Sequence, residues 1–409
     1  MDASWMAVST MSSPMAFRGS RPPSESRGKN GWRSLVREPE AYRGREQTYL
    51  KHFFLEKYLE RVAIIIGYHS PEFVYIDGFS GPWRSEDEAF EDTSFRIAVG
   101  QLRKVRDALA AKGKAPRVRC IFVESDASAF ADLSKSIEGI ADMELQALHG
   151  EFEQVLPQII SAVGDSFALT FIDPTGWNGF ALETISPLLR KRGEVLVNFM
   201  FDFVNRFRCD EREATTRTFD KLFGGAGWED AVQRGEGAML AFYCERLKQR
   251  CGFQFGTYTR VLKPLSDRTY FHLVYATRHP KGLEEFRAVE KRFLREQEQV
   301  RAEAKQATRI QKSGQGELFR EAEATLSSLE SEVKKNHDFA GATLRELLEE
   351  RSPRRFEEVL PPMLEIPMVD KPAAKQIVVA LQDSGFLAIE GMKPRQRLPD
   401  DGCTLRRTP

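Results

Sequence analysis

The sequence predicts an α/β protein. A doubly wound, mostly parallel sheet ends in an antiparallel hairpin, and a small domain of three helices and a hairpin follows it. Three observations carry this. Apolar runs end in an acid or a glycine at four successive places: Phe73–Ile76 before Asp77-Gly78, Cys120–Val123 before Glu124, Leu148-His149 before Gly150-Glu151, and Leu169–Ile172 before Asp173. Strands buried on both faces of a parallel sheet read this way. Amphipathic helical stretches alternate with these runs, as the crossovers of a doubly wound sheet require. Finally, the last 70 or so residues change to short helical segments and one short hairpin.

Each element follows in turn. Residues 1–45 are rich in Ser, Pro, Arg and Gly and lack a compact apolar h-region, so they read as a disordered segment rather than a signal peptide. Leu50, Phe54, Tyr58, Val62 and Ile66 recur every four residues and define an amphipathic helix leading into the first strand. A helix over about Thr93–Leu109 precedes strand Val118–Glu124, and Asp126 or Ser128 caps the next helix. Helix Phe152–Val163, strand Phe167–Ile172, helix Leu182–Arg190 and strand Glu194–Phe199 complete the alternation. Residues 200–250 read as helical with a break at Leu222–Trp228. Phe253–Val261 and Tyr270–Thr277 are close enough to form a hairpin. Gly282 to about Lys335 is highly charged and reads as one or two solvated helices, broken near Ser313–Gly316, or as a nucleic-acid- or partner-binding arm. Ala342–Glu350, Phe356–Leu364 and Ala373–Ser384 read as three short helices, and Gly385–Ile389 with Gly402–Arg406 as a hairpin. Together they fit a winged helix-turn-helix. Its third helix carries Lys371, Lys375 and Gln376, and its wing Lys393, Arg395 and Arg397. The expected domains are residues 1–45, a sheet domain over 46–281, a charged helical connector over 282–335, and the winged domain over 336–409.

Composition narrows the function. Lysine plus arginine and aspartate plus glutamate both number 60, so a nucleic-acid surface has to be a local patch; residues 371–409 hold seven basic and four acidic side chains. The five cysteines have no CxxC spacing and the six histidines no HxxxH or HExxH spacing, which argues against a zinc site or a disulfide framework and for reduced, intracellular thiols. No run of about 18 apolar residues is present to span a membrane. A GxGxxG fingerprint is absent, which argues against a nicotinamide oxidoreductase.

The strand ends supply candidate chemistry. Asp77 is placed to orient a ligand, and Gly78 and Gly81 let the backbone turn close to it. Pro82 removes one N–H from that loop, which favours an uncharged-tailed ligand over a diphosphate. Glu124 closes the second strand, where an acceptor-only carboxylate takes both ribose hydroxyls; Asp126 is its rival, or an ordinary N-cap. Glu151 suits an adenine amino group or is simply an acidic first-turn residue. His149 is structural or catalytic. Asp173-Pro174-Thr175-Gly176-Trp177 is the sharpest candidate: Asp173 beside the transferred group, Pro174 fixing the turn, Trp177 stacking on a flat substrate or filling the core.

These residues together resemble the class I S-adenosylmethionine-dependent methyltransferase fold, with its Rossmann-like sheet. More closely they resemble the three-Cys-motif partner protein family (TcmP). The match runs over roughly residues 46–290, from the Lys51–Tyr58 helix through Asp77–Pro82, Phe122–Glu124 and Phe171–Trp177 to Leu222–Gly224 with Trp228, and Tyr270–Thr277. The resemblance implies a bacterial or phage-associated cytoplasmic protein, S-adenosylmethionine as cofactor, and association with a radical-SAM-like protein bearing a three-cysteine motif. Carried over by position, it implies that Asp77 and Gly81 form the methionine-binding turn, with Glu124 at the ribose, Glu151 at the adenine and Asp173 at the reaction centre. Enzymes that methylate base amino groups resemble Asn/Asp-Pro-Pro-Tyr/Phe at this last turn. Here Thr175-Gly176 stand where the second proline and the aromatic would be, and Trp177 comes one place later. Two functions follow: methyl transfer to a nucleic acid or a partner protein, or a non-catalytic DNA- or protein-binding factor on a degenerate methyltransferase scaffold.

Overall fold

The computed structural model describes residues 34–81, 93–174, 176, 178–200, 212–313 and 318–409. The chain divides into two compact units, Met1–Val195 and Leu196–Pro409. The strand order of the main sheet is β3-β2-β1-β4-β5-β7-β6, with the ranges given below.

In the first unit, α1 (Glu46–His69) leads into β1 (Glu72–Asp77). Then come α2 (Ser94–Ala110), β2 (Arg117–Glu124), α3 (Ala127–Glu138), β3 (Glu144–His149), α4 (Phe152–Val163), β4 (Phe167–Ile172), α5 (Leu182–Leu189) and β5 (Gly193–Phe199). β1 pairs in parallel with both β2 and β4, and β2 in parallel with β3. The apolar runs are what put β1 and β4 in the middle. Phe73, Val74, Tyr75 and Ile76 have no exposed surface, and all of β4 is buried. β3 lies at the edge of the order and is mostly open to solvent, which is why its sequence is the weakest of the four runs. α1 packs on α2 and β1, α3 on β2 and β3, and α4 on β2 and α5. α2 is opened by Thr93, whose Oγ1 accepts the Arg96 N–H at 3.3 Å.

Residues 34–45 were expected within a disordered segment but are docked. Ser34 Oγ donates to Glu56 at 2.9 Å, the Leu35 N–H also reaches Glu56, and Tyr42 in the 3-10 turn Pro39–Tyr42 is fully buried. Glu56 is itself buried and also accepts from Lys57 at 2.8 Å. The segment therefore satisfies a buried carboxylate that composition alone does not reveal.

In the second unit, α6 (Glu213–Phe223), α7 (Glu229–Gln233) and α8 (Glu236–Cys251) precede β6 (Phe255–Leu262) and β7 (Thr269–Thr277), an antiparallel hairpin as expected. Trp228 stacks on Phe223 (6.2 Å, 16°) and donates through its indole N–H to Asp220 at 2.9 Å, so the expected helix break is a packed corner. α9 (Pro280–Ser313) is not the solvated connector its charge suggested. It packs on β6 and β7 and buries Leu283, Phe286, Val289, Phe293 and Leu294 together with Arg287, Glu290, Glu298 and Arg301. These last four pair with each other along the helix, Arg287 with Glu290 at 2.7 Å and Arg301 with Glu298 at 2.9 Å. That pairing is how charged residues come to sit on a buried stripe.

α10 (Leu318–Glu350) continues past the expected domain boundary and absorbs Ala342–Glu350, predicted as a separate short helix. It is followed by β8 (Arg354–Arg355), α11 (Phe356–Glu365), α12 (Lys371–Asp383), β9 (Leu387–Glu390) and β10 (Thr404–Arg407). The last strands form a small sheet in the order β8-β10-β9, antiparallel, which contains the expected hairpin. No helix of the described residues is long and apolar enough to cross a membrane.

Candidate cofactor and active site

β1 lies between β2 and β4, so the strand order reverses beside it. In open α/β sheets a ligand crevice forms at the carboxyl ends of the strands at such a switch point. Asp77, the last residue of β1, is in register with Phe122 on β2 and Phe171 on β4. Glu124 and Asp173 each lie two residues beyond those partners. The three acids therefore stand on one edge of three adjacent strands. The turn after β1 is stitched to both neighbours: the Gly78 N–H donates to Phe171 O and the Ser80 N–H to Val123 O, both at 2.9 Å.

Asp77 is fully buried and its own turn satisfies it. Its carboxylate accepts the Phe79 N–H at 3.2 Å, the Ser94 hydroxyl at 3.0 Å and the Tyr75 hydroxyl at 3.5 Å. Burial pushes this carboxyl up to about 7; the Asp173 charge adds to the rise, while the Phe79 N–H, Ser94 and Lys51 oppose it. The folded value lies above that of an unfolded aspartate, so between these values the folded state binds more protons. Stability from this group is present below the unfolded value, about 3.9, and is lost as pH rises through about 7. The expected result is that wild type loses thermal stability relative to Asp77→Asn between about pH 4 and pH 7. Parallel melting curves across that range would contradict the assignment.

Gly78, with Gly81, was expected to let the backbone turn close to a ligand. Its open face is instead filled by Phe152 of α4, whose ring would lie 3.0 Å from a Cβ at that position. Phe79 and Gly81 are half-buried, and Pro82 lies outside the described residues. Glu124 is 7% exposed, and its Oε1 accepts the Asp126 N–H at 2.7 Å. No partner for Oε2 occurs among the described residues. Asp126 is the N-cap of α3, accepting the Ala129 N–H at 2.8 Å, the ordinary structural reading of that residue. Glu151 is exposed at the head of α4 and makes no side-chain cap bond. A Cβ at Gly179 would lie 4.0 Å from Glu151 Oε2 and 3.4 Å from the Phe79 ring, so the loop after β4 comes close to both. His149 stacks on Phe130 (4.8 Å, 26°), the structural reading of that residue.

Asp173 is half-buried at the end of β4 and forms an ion pair with Lys51 of α1; Pro174 is buried. Thr175 and Trp177 lie outside the described residues, so the expected stacking role of Trp177 is not part of this geometry. Lys51, Ser94 and Glu153, whose Oε1 accepts the Ala181 N–H at 2.7 Å, were not singled out by sequence reasoning. A lysine near the start of the helix that feeds β1 was the one available signal.

The described cysteines, Cys120, Cys244, Cys251 and Cys403, are buried and form no disulfide with one another, and no cluster able to hold a metal ion occurs among the described residues. In the C-terminal residues, Lys371 of α12 is tied to Glu284 at 3.2 Å and Asp401 at 3.0 Å, and Lys375 lies 5.9 Å over the Phe356 ring. Two cations expected on a groove-entering helix are thus engaged within the protein.

No protein-family profile matches this chain, and no curated protein matches it in sequence. Among solved structures it is similar to a Legionella pneumophila str. Philadelphia 1 protein of the DUF519 family (10% identity, 55% of this chain and 84% of that one, TM-score 0.32). It is similar to the CMeT domain of the citrinin polyketide synthase (14% identity, 51% and 47%, TM-score 0.25). It is also similar to loganic acid methyltransferase with SAH (10% identity, 64% and 85%, TM-score 0.25).

Proposed function

We propose that residues 46–281 form an S-adenosylmethionine-dependent methyltransferase domain of the three-Cys-motif partner type, acting on a nucleic acid or a partner protein. The observation that carries this is the switch point, where the ends of β1, β2 and β4 bring Asp77, Glu124 and Asp173 to one edge. The residues present fit the cofactor. Glu124, 7% exposed, has its Oε1 engaged by the Asp126 N–H and its Oε2 left to accept ribose hydroxyls. Glu151 stands at the rim, able to accept an adenine amino group. The Phe79–Gly81 backbone, braced by Asp77, forms the turn over the tail. When bound, the cofactor supplies a methyl group on a sulfonium, whose transfer needs alignment more than acid-base help. Asp173 and Pro174 would form the wall beside the transferred group. The test is equilibrium binding of S-adenosylhomocysteine, with Glu124→Ala as the diagnostic variant.

A second reading has its own observation. Lys393, Arg395 and Arg397 are exposed on a pinned loop: the Lys393 N–H donates to Gln396 Oε1 at 2.9 Å, Gln396 Nε2 donates to Leu398 O at 2.7 Å, and Arg395 is held at φ 68°. We read 336–409 as a winged helix domain that meets DNA phosphates chiefly through this wing. Replacing all three by alanine is expected to weaken duplex binding and to reduce its salt slope by about 2–3. An unchanged slope would reject the wing as the contact.

A further inference from the structure

The acid expected to receive the amino-acid tail of the cofactor, Asp77, is buried and already holds the Phe79 N–H and Ser94. A different pair at the same switch point is better placed. Lys51, on α1, reaches Asp173 at the end of β4 across 122 residues of sequence, and their side chains keep 17% and 13% of their surface exposed. One positive and one negative group are thus held by separate elements at the crevice wall, within reach of solvent. This arrangement is the charge complement of an α-amino-acid zwitterion.

We propose that Lys51 and Asp173 hold the amino-acid tail of the S-adenosyl ligand, Lys51 taking its carboxylate and Asp173 its ammonium group. This rests on the cofactor reading above and assigns Asp173 to the tail rather than to proton removal. Exchange of partners leaves no charge uncompensated, because each bond given up between Lys51 and Asp173 is replaced by one to the ligand. The spacing agrees. Asp173 and Glu124 stand on the strands flanking β1, two strand intervals or roughly 10 Å apart. The carbon and sulfur chain between the ribose and the α-carbon of the ligand spans that interval. Engagement of the tail also breaks the link between α1 and β4, so ligand binding is expected to loosen that contact.

The test compares S-adenosylhomocysteine with 5′-methylthioadenosine, which shares the nucleoside and sulfur but lacks the tail, by calorimetric titration into the full chain. Wild type is expected to prefer the first by about tenfold or more. Lys51→Met should remove that preference, weakening S-adenosylhomocysteine about tenfold while leaving 5′-methylthioadenosine within about twofold; Lys51→Arg should keep it. Equal wild-type affinity for the two ligands, or equal weakening of both by Lys51→Met, would overturn the tail assignment and leave the nucleoside site standing. Binding of neither ligand by wild type would overturn the cofactor reading and this inference with it. If Lys51→Met does not fold, the wild-type preference and its retention in Lys51→Arg decide the matter.

Discussion

Replacing Arg287 by alanine is expected to destabilise the protein by about 3–5 kcal/mol, the cost of breaking a buried charge pair from one side. The guanidinium has no exposed surface. It donates to Leu364 O at 2.8 Å, Glu365 O at 3.1 Å and Tyr258 O at 3.3 Å, reaches Thr257 Oγ1, and pairs with Glu290. Alanine would leave the Glu290 carboxylate buried without its cation, holding the Met368 N–H at 3.0 Å. The Leu364 and Glu365 carbonyls at the end of α11 would each lose a donor as well. Against a typical stability of about 5–15 kcal/mol, this variant approaches the limit of folding. Urea denaturation followed by fluorescence gives the number, and a loss under about 1 kcal/mol would contradict the account. The same network governs how the C-terminal domain can be studied. Glu365 also binds Lys248 at 2.6 Å and the Gly256 N–H at 2.9 Å, so deleting residues 336–409 strips partners from β6, α8 and α9. Point substitutions in the wing are the cleaner probe of nucleic-acid binding.

The second large effect is expected at Gly193→Ala. A Cβ there would stand 1.9 Å from Ala168 O and 2.9 Å from Ala168 C, both backbone atoms with no freedom to move aside. The Ala168 N–H already donates to Arg192 O at 3.0 Å, so the chain at the start of β5 is held close to β4. Relief requires moving a strand, which puts the cost at about 3 kcal/mol or more. A melting temperature lower by roughly 10 °C is expected, and a change within about 2 °C would contradict the close approach. Because β4 ends in Asp173, the variant is also expected to weaken ligand binding in whatever fraction remains folded.

The strands and helices of the first unit were legible because their signals are local. Helix Phe152–Val163 and strand Phe167–Ile172 stand as read. Each is bounded by residues that end an apolar run, and continuous apolarity is what two-sided burial demands. The β6–β7 hairpin and the β9–β10 hairpin were legible for the same reason. The candidate site was legible only as far as single strand ends reach. Asp77, Glu124 and Asp173 stand at the ends of three neighbouring strands, but the Lys51–Asp173 pair joins residues far apart in sequence, and the filling of Gly78 by Phe152 depends on how α4 packs. Neither leaves a trace in spacing. α9 misled for a physical reason: its buried Arg287, Glu290, Glu298 and Arg301 neutralise one another. A charge count reads those residues as solvated when they are paired inside.

Calorimetric titration of S-adenosylhomocysteine into wild type and Glu124→Ala tests the central claim most directly. Glu124 offers a buried carboxylate with an oxygen to spare, and two charge-assisted bonds to ribose hydroxyls are together worth roughly 3 kcal/mol. The account predicts micromolar binding by wild type and a loss of about 100-fold in the variant, with the melting temperature of the free protein little changed. No binding by folded wild type at millimolar ligand, or equal binding by both proteins, would contradict it and leave a scaffold whose strand ends do not serve a nucleoside.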